Sequence, residues 1–311
     1  PRGAEGEHEQ AKYRSRPHIH LGTALNQAEW DEDAALWRLQ DEHGNRYTAN
    51  MLVSGMGALS TPTYPNVPGR ERFQGKAFHS QHWDHDYNLR GKRVGVIGTG
   101  ASAIQFVPEV QKEAANLKVF QRSAPWIMPK PDRPIRPWER AIFRRVPSAQ
   151  ALQRKTLYWM LEARVLPMLI NPKLLRFAKV MARRHIHSQI SDPVLRRKVT
   201  PDYEFGCKRV LMSNNYYPAL DSANVDLVTD DIQEITETGI RTTDGQHHEL
   251  DAIVYGTGFK ATDPVPNGMI KGRNGQDLQE VWRDGPEAYK GATIHGFPNF
   301  FMIMGPNTGL G

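Results

Sequence analysis

Cysteine is almost absent: Cys207 is the only one in 311 residues. A lone thiol excludes an internal disulfide and any Cys-x-x-Cys redox or zinc pair. No uninterrupted apolar run reaches 18 residues, so no spanning helix is expected. No secretory leader pattern is visible, and the compartment expected on these grounds is cytoplasmic. Acidic residues are scarce in one stretch. Residues 130–209 hold 19 Lys and Arg against 6 Asp and Glu, in a chain of net charge +6. That asymmetry fits a solvated helical face, an acidic membrane surface or a phosphate-rich ligand. Zinc-finger spacing, an RNA-binding signature and a helix-turn-helix are missing, which argues against nucleic acid as a partner. Histidine is plentiful but dispersed. His18 and His20 alternate as on a strand, His79, His82 and His85 follow helical spacing, and His185 and His187 share a helix. None joins Cys or a carboxylate at metal-ligand spacing, so no metal site is expected.

What remains is the composition of a globular protein, 39% apolar and 24% charged, long enough for two domains. Its most telling segment is Arg93-Val-Gly-Val-Ile-Gly98-Thr99-Gly100-Ala101-Ser102-Ala103, where an apolar run enters a Gly-x-Gly-x-x-Ala turn and then a helix-like stretch. Strand, glycine turn and helix in this order cradle a dinucleotide pyrophosphate. Gly98 makes the tight turn, Gly100 leaves room for the phosphates, and Ala103 lets helix and strand approach. The helix N-terminus adds free N–H groups and partial positive charge. Residues 117–121 read as the next strand. At its tip, where an acidic residue would accept from a ribose 2′-hydroxyl, stand Gln121, Arg122 and Ser123. A guanidinium there suits a 2′-phosphate through a charge-assisted bond worth roughly 1.5–3 kcal/mol. NADP(H), not NAD, is the expected ligand.

An internal repeat extends this reading. Met51-Leu-Val-Ser-Gly55-Met-Gly57 and Ala252-Ile-Val-Tyr-Gly256-Thr257-Gly258 are apolar strands ending in Gly-x-Gly, and each follows a turn glycine, Gly44 or Gly245, by 11 residues. Short alternating strands precede both, at 27–30 with 36–40 and at 232–235 with 240–243. The pattern predicts two related α/β dinucleotide-binding (Rossmann-like) domains, the first incomplete. Residues 1–86 and 262–311 are assigned to the first, 87–132 and 203–261 to the second, and 133–202 to a helical insertion punctuated by Pro147, Pro167, Pro172 and Pro193. Residues 61–69 read as a proline-rich linker, 263–282 as a turn-rich crossing between the domains, and 5–16 as a helix end followed by a strand, so both ends look cut. The apolar stretch 157–170 reads as helix packing, a membrane-surface segment or the cap of a greasy tunnel.

The linker leads into Phe73-Gln-Gly75-Lys-Ala-Phe-His79-Ser-Gln-His-Trp83-Asp84. This resembles the Phe-x-Gly-x-x-x-His-x-x-x-Trp-(Pro/Asp) fingerprint of type I Baeyer–Villiger monooxygenases. Gln121-Arg122-Ser123, Phe205-Gly-Cys207-Lys208-Arg209 and Gly256-Thr257-Gly258-Phe259 are similar to that family as well, so the likeness runs over about 17–311. It implies FAD and NADPH as cofactors and a ketone and O2 as substrates. The flavin captures oxygen as a C4a-peroxide, and one oxygen enters beside the carbonyl to give an ester or lactone. By the same resemblance Arg209 is the catalytic arginine beside the flavin, and Lys208 and Arg122 hold the 2′-phosphate. His79 and Trp83 couple domain movement to catalysis, although Trp83 reads equally well as packing. Gly55, Gly57, Gly256 and Gly258 lie near the nucleotides, and the Pro306-Asn307-Thr308 loop approaches the flavin.

The family's N-terminal Gly-x-Gly-x-x-Gly flavin fingerprint is not among the 311 residues. A longer parent is therefore expected, with these residues inactive alone. Competing readings are a flavin-dependent nitrogen or sulfur monooxygenase, disfavoured by Trp83-Asp84, and a non-catalytic NADP-binding module. A short-chain reductase lacks its Tyr-x-x-x-Lys pair here. Cys207, beside two cations, reads as a structural thiol or as one of lowered pKa.

Overall fold

The computed structural model describes residues 16–57, 59–170, 175–260 and 265–308, with the backbone alone over 163–170. In chain order the elements are β1 (Leu25–Asp31), β2 (Leu36–Asp41), β3 (Arg46–Ala49), β4 (Leu52–Ser54), β5 (Lys76–His79), β6 (Arg93–Ile97), α1 (Ala103–Glu113), β7 (Asn116–Phe120) and β8 (Ile127–Met128). There follow α2 (Pro137–Arg145), α3 (Pro147–Ile170), α4 (Leu175–Gln189), α5 (Pro193–Val199), β9 (Leu211–Met212), α6 (Tyr216–Leu220), β10 (Val225–Val228), β11 (Ile232–Ile235), β12 (Gly239–Thr242), β13 (His247–Glu249), β14 (Ala252–Tyr255), β15 (Ile270–Lys271), α7 (Leu278–Val281) and β16 (Phe300–Met302). They form two compact units, Pro62–Gly258 and Pro1–Thr61 with Phe259–Gly311.

In the unit Pro62–Gly258 five parallel strands stand in the order β10-β7-β6-β14-β5. Alternation sends successive side chains to opposite faces. Val94, Val96, Leu117, Val119 and Val254 join one core with Ile104 and Val107 of α1 and Tyr216 and Tyr217 of α6. Ile97, Phe120, Ile253 and Tyr255 join the other with Ile235, Ile240 and Leu250 from the β11-β12-β13 meander. Burial on both faces is what a parallel sheet requires, and each such aliphatic side chain contributes about 1.5–3 kcal/mol. Gly95 fits this scheme by its bareness: a Cβ there would lie 2.5 Å from Leu250 Cδ1, so the meander packs directly on the β6 backbone.

The other unit carries the sheet β15-β1-β2-β3 and the parallel pair β16-β4. Its core gathers Trp30, Trp37, Ile270, Leu278, Trp282, Phe297 and Phe300. A buried indole needs an acceptor, and Trp37 Nε1 donates to the Pro298 carbonyl at 2.9 Å, tying the two halves of the unit together. The repeat is visible in three dimensions. Each meander, β1-β2-β3 and β11-β12-β13, feeds a strand that pairs in parallel, β4 and β14. Gly44 and Gly245 share the left-handed conformation, with φ of 82° and 86°, which glycine adopts without steric cost.

Some expectations change. Residues 62–86, assigned from sequence to the first domain, lie in the unit Pro62–Gly258, because β5 pairs in parallel with β14. A four-residue strand carries too little alternation to show its partner. The later boundary falls at 258, not 261. His18 closes a single 3-10 turn, Arg16–His18, and is not on a strand. His82 and His85 lie in turns, not on a helix. Pro137, Pro147 and Pro193 each open a helix, where the missing N–H has no intrahelical partner to lose, whereas Pro167 falls inside α3. The segment expected over 5–16 lies, but for Arg16, outside the described residues.

Candidate functional site

The chain leaves β6 toward β7 on one side, while β14 pairs on the other, so the C-terminal end of β6 is a topological switch point. Gly98, Thr99 and Gly100 turn there into α1. Gly98 has a φ of 107°, and a Cβ on it would collide with the Gly256 carbonyl oxygen. Gly256 in turn admits Ala103, whose Cβ stands 3.4 Å from where a Gly256 Cβ would be. A Cβ on Gly100 would meet nothing within 4 Å. Gly98 is therefore required by the protein's own packing, whereas a Cβ on Gly256 would make ordinary contacts and Gly100 opens onto free space. Ala103 is fully buried, and Ala101 and Ser102 form the approach to α1, whose N-cap Ser102 makes no side-chain capping bond.

The tip of β7 is fastened to this turn. Thr99 Oγ1 donates to the Ser123 carbonyl at 3.1 Å, and Gly98 N–H donates to the Phe120 carbonyl at 3.0 Å. Gln121 is buried and donates to the Lys198 carbonyl at 2.7 Å, a packing role that leaves only Arg122 and Ser123 exposed. Lys208 arrives from the loop before β9, its Nζ 3.4 Å from Ser123 Oγ and 4.4 Å from the centre of the Tyr203 ring. Among the described residues neither Arg122 nor Lys208 is ion-paired with a carboxylate. Two exposed cations and a hydroxyl thus stand beside an open glycine turn. Arg209 is exposed one residue further on, and Cys207 is an exposed free thiol.

The fingerprint residues form one joint. A Cβ on Gly75 would lie 2.6 Å from the Asp251 carbonyl oxygen and crowd Phe73, which packs on the core. Lys76 pairs with Asp84 at 2.5 Å, and this cation holds the Asp84 carboxyl below its ordinary range. Asp84 also accepts from the N–H groups of Asp86 and Tyr87. Trp83 sits edge-on between Phe78 and Phe106, at ring distances of 5.2 and 5.5 Å. His79 is buried at the end of β5, packs on Tyr64 and bonds with the Gly258 backbone. Burial pushes its pKa down, with the Gly258 contact opposing. Thr257 Oγ1 donates to the Thr63 carbonyl and Thr63 N–H to the Gly258 carbonyl, so the Gly256-Thr257-Gly258 exit is stitched to the linker.

In the other unit, Gly55 and Gly57 follow β4, and Asn307 follows its parallel neighbour β16, so all three leave from the same end of the pair. Gly57, Met304 and Asn307 are left-handed, with φ of 70°, 57° and 60°, and a Cβ at Gly55 or Gly57 would meet nothing within 4 Å. An open cleft of about 610 Å³ borders α1, lined by Gln105, Lys130, Arg133 and Asn214 among others. Its cations are already paired, Lys130 with Asp132 at 2.6 Å and Arg133 with Glu139 at 2.6 Å. Sequence reading missed Tyr203 and Trp126, which no motif marks.

The sequence matches the flavin-binding monooxygenase-like profile over residues 35–276. The chain belongs to that family. It is 58% identical over 300 residues to a Baeyer–Villiger monooxygenase of Pseudomonas aeruginosa, covering 96% of this chain and 57% of that protein. A crystal structure of cyclohexanone monooxygenase with bound ε-caprolactone superposes with a TM-score of 0.84 at 29% identity, over 97% of this chain and 66% of that one. OTEMO in complex with FAD and NADP gives 0.82 at 30% identity, over 97% and 64%. The chain thus spans about three-fifths of the length of the curated relative. These likenesses bear out the resemblance read from the fingerprint, and the Rossmann-like fold with it.

Proposed function

We propose that the protein containing this chain is an FAD- and NADPH-dependent Baeyer–Villiger monooxygenase that inserts one oxygen of O2 beside a ketone carbonyl, giving an ester or lactone. The observation that carries this reading is the Phe73–Gly75–His79–Trp83–Asp84 joint, all five positions filled, with Trp83 packed on Phe106 of the helix that the open glycine turn begins. The residues fit the cofactors. Gly100 leaves the room that a pyrophosphate needs, and Arg122, Ser123 and Lys208 offer charge and hydrogen bonds to a 2′-phosphate. Thr99, Ala101, Ser102, Ala103, Gly256, Thr257 and Gly258 shape that cradle, and Gln121 fixes its rim from within. Gly55 and Gly57, where a Cβ would meet nothing, and the left-handed Gly57 and Asn307 suit the close approach of FAD. When bound, the nicotinamide supplies hydride and the flavin the oxygen chemistry.

Arg209, permanently charged, stabilises the negative charge that develops on oxygen during insertion. His79, kept neutral by burial, and Trp83 transmit movement at the joint without touching the reacting atoms. The full-length holoenzyme under ¹⁸O2 should consume NADPH faster with a ketone present and place one labelled oxygen in the ester. An oxidised amine or sulfide in place of ester from matched substrates would move the assignment to the nitrogen and sulfur oxidising branch. Full-length protein that holds no flavin would overturn the reading.

A further inference from the structure

We infer that Tyr203 is a positioning residue for cofactor choice: its ring face seats the Lys208 ammonium beside Ser123, ready for a 2′-phosphate. The inference rests on the NADP(H) reading above and adds what orients the lysine. A lysine side chain has many rotamers on a flexible four-carbon stem, so an unheld Lys208 would sample many positions. A carboxylate could hold it, but would neutralise the charge that a phosphate must find. An aromatic face attracts the ammonium through its quadrupole and leaves the net charge intact. Here Nζ lies 4.4 Å from the Tyr203 ring centre and 3.4 Å from Ser123 Oγ. The Ser123 carbonyl is in turn anchored by Thr99 of the glycine turn.

The seat is itself braced. The Tyr203 carbonyl accepts from Trp126 Nε1 at 3.0 Å, and Trp126 is fully buried. Trp126, Phe205 and Ala182 form a small core against which Tyr203 packs, together with Leu175 and Ala178 of α4 in the insertion. Lys179 of α4 grips the neighbouring Glu204 at 2.8 and 3.0 Å. The insertion thereby reaches the phosphate-recognition corner through Tyr203.

The test is calorimetric titration of the full-length protein with 2′,5′-ADP and with 5′-AMP, which need no turnover. Tyr203→Leu should weaken 2′,5′-ADP about 3- to 10-fold and leave 5′-AMP within about twofold. Tyr203→Phe, which keeps the ring, should match wild type. In a Lys208→Met background Tyr203→Leu should cost nothing more, because the group it seats is gone. If Tyr203→Leu does not fold, Tyr203→Met offers a flexible, gap-filling apolar chain without the ring face. Unchanged 2′,5′-ADP affinity, equal weakening of both nucleotides, or an undiminished loss in the Lys208→Met background overturns the inference while the NADP(H) reading stands. Wild-type protein that does not prefer 2′,5′-ADP overturns both.

Discussion

Two glycines two residues apart have opposite reasons to exist. Gly98 is held by the protein's own backbone, through positive φ and the approach of Gly256, whereas Gly100 faces open space. Gly98→Ala should therefore lower the melting temperature. Gly100→Val should leave melting nearly unchanged and weaken NADP+ by tenfold or more, as measured by titration beside thermal unfolding. Loss of stability at Gly100 would contradict its assignment as a ligand-facing residue. At the β7 tip, Arg122→Ala should cut the preference for NADPH over NADH by roughly 10- to 100-fold, the value of one charge-assisted bond. Steady-state kinetics with both nucleotides check this. Arg209→Ala should abolish ester formation with NADPH binding intact, and product analysis together with titration separates the two effects. The glycines and Arg122 were legible in the sequence because their constraints are local, a turn and a strand tip. Tyr203 was not, because its meaning lies in a ring-to-ammonium distance that only the folded loop creates.

At the level of the element, the fingerprint is a short strand and turn whose side chains serve different neighbours. Trp83 bridges β5 and α1 by lying between Phe78 and Phe106. Trp83→Ala should cost about 2–4 kcal/mol of stability, near the lower end of Trp truncations because the ring is only half-buried. Trp83→Phe discriminates between its two readings. If packing is the whole role, stability and turnover recover together in unfolding and NADPH-oxidation assays. Recovered stability with depressed turnover would show a further part in coupling. The motif was readable as a pattern, yet its membership of the sheet was not, since β5 is too short for its alternation to name β14 as a partner. The repeated meander, by contrast, was readable, because hairpin glycines and strand spacing are set by local turn geometry.

For the whole molecule, acid should be the destabilising direction, in two stages. His79 and His248 are buried, and burial lowers their pKa values below the ordinary 6.5. Unfolding lets them take up protons, so their contribution is complete above pH 6.5 and declines as pH falls through that value toward the folded pKa. Carboxylates add a second stage. Burial works against ionised Asp41, but hydrogen bonds from Asn45 and Tyr47 outweigh it and hold the group at about 2. Glu139, gripped by Arg133, is likewise held at about 2. Their contribution is present above the ordinary values of 3.8 and 4.5 and is lost as pH falls below them. Melting temperature followed by circular dichroism should be level above pH 7, decline from about 6.5 and fall more steeply below about 4.5. A rise on going below pH 6.5 would contradict this account.

The sequence alone determined the nucleotide turn, the doubled meander and the helical insertion, because glycine sterics, hairpin punctuation and side-chain alternation act over a few residues, and it pointed to the family through the resemblance of its Phe73–Asp84 fingerprint. Tertiary structure decided the rest: that 62–86 belongs with the five-stranded sheet, that Gln121 is buried and Arg122 is not, and that Lys208 meets Ser123 across a sequence separation of 85. Those outcomes depend on which distant surfaces bury one another, and a linear pattern does not encode that distance.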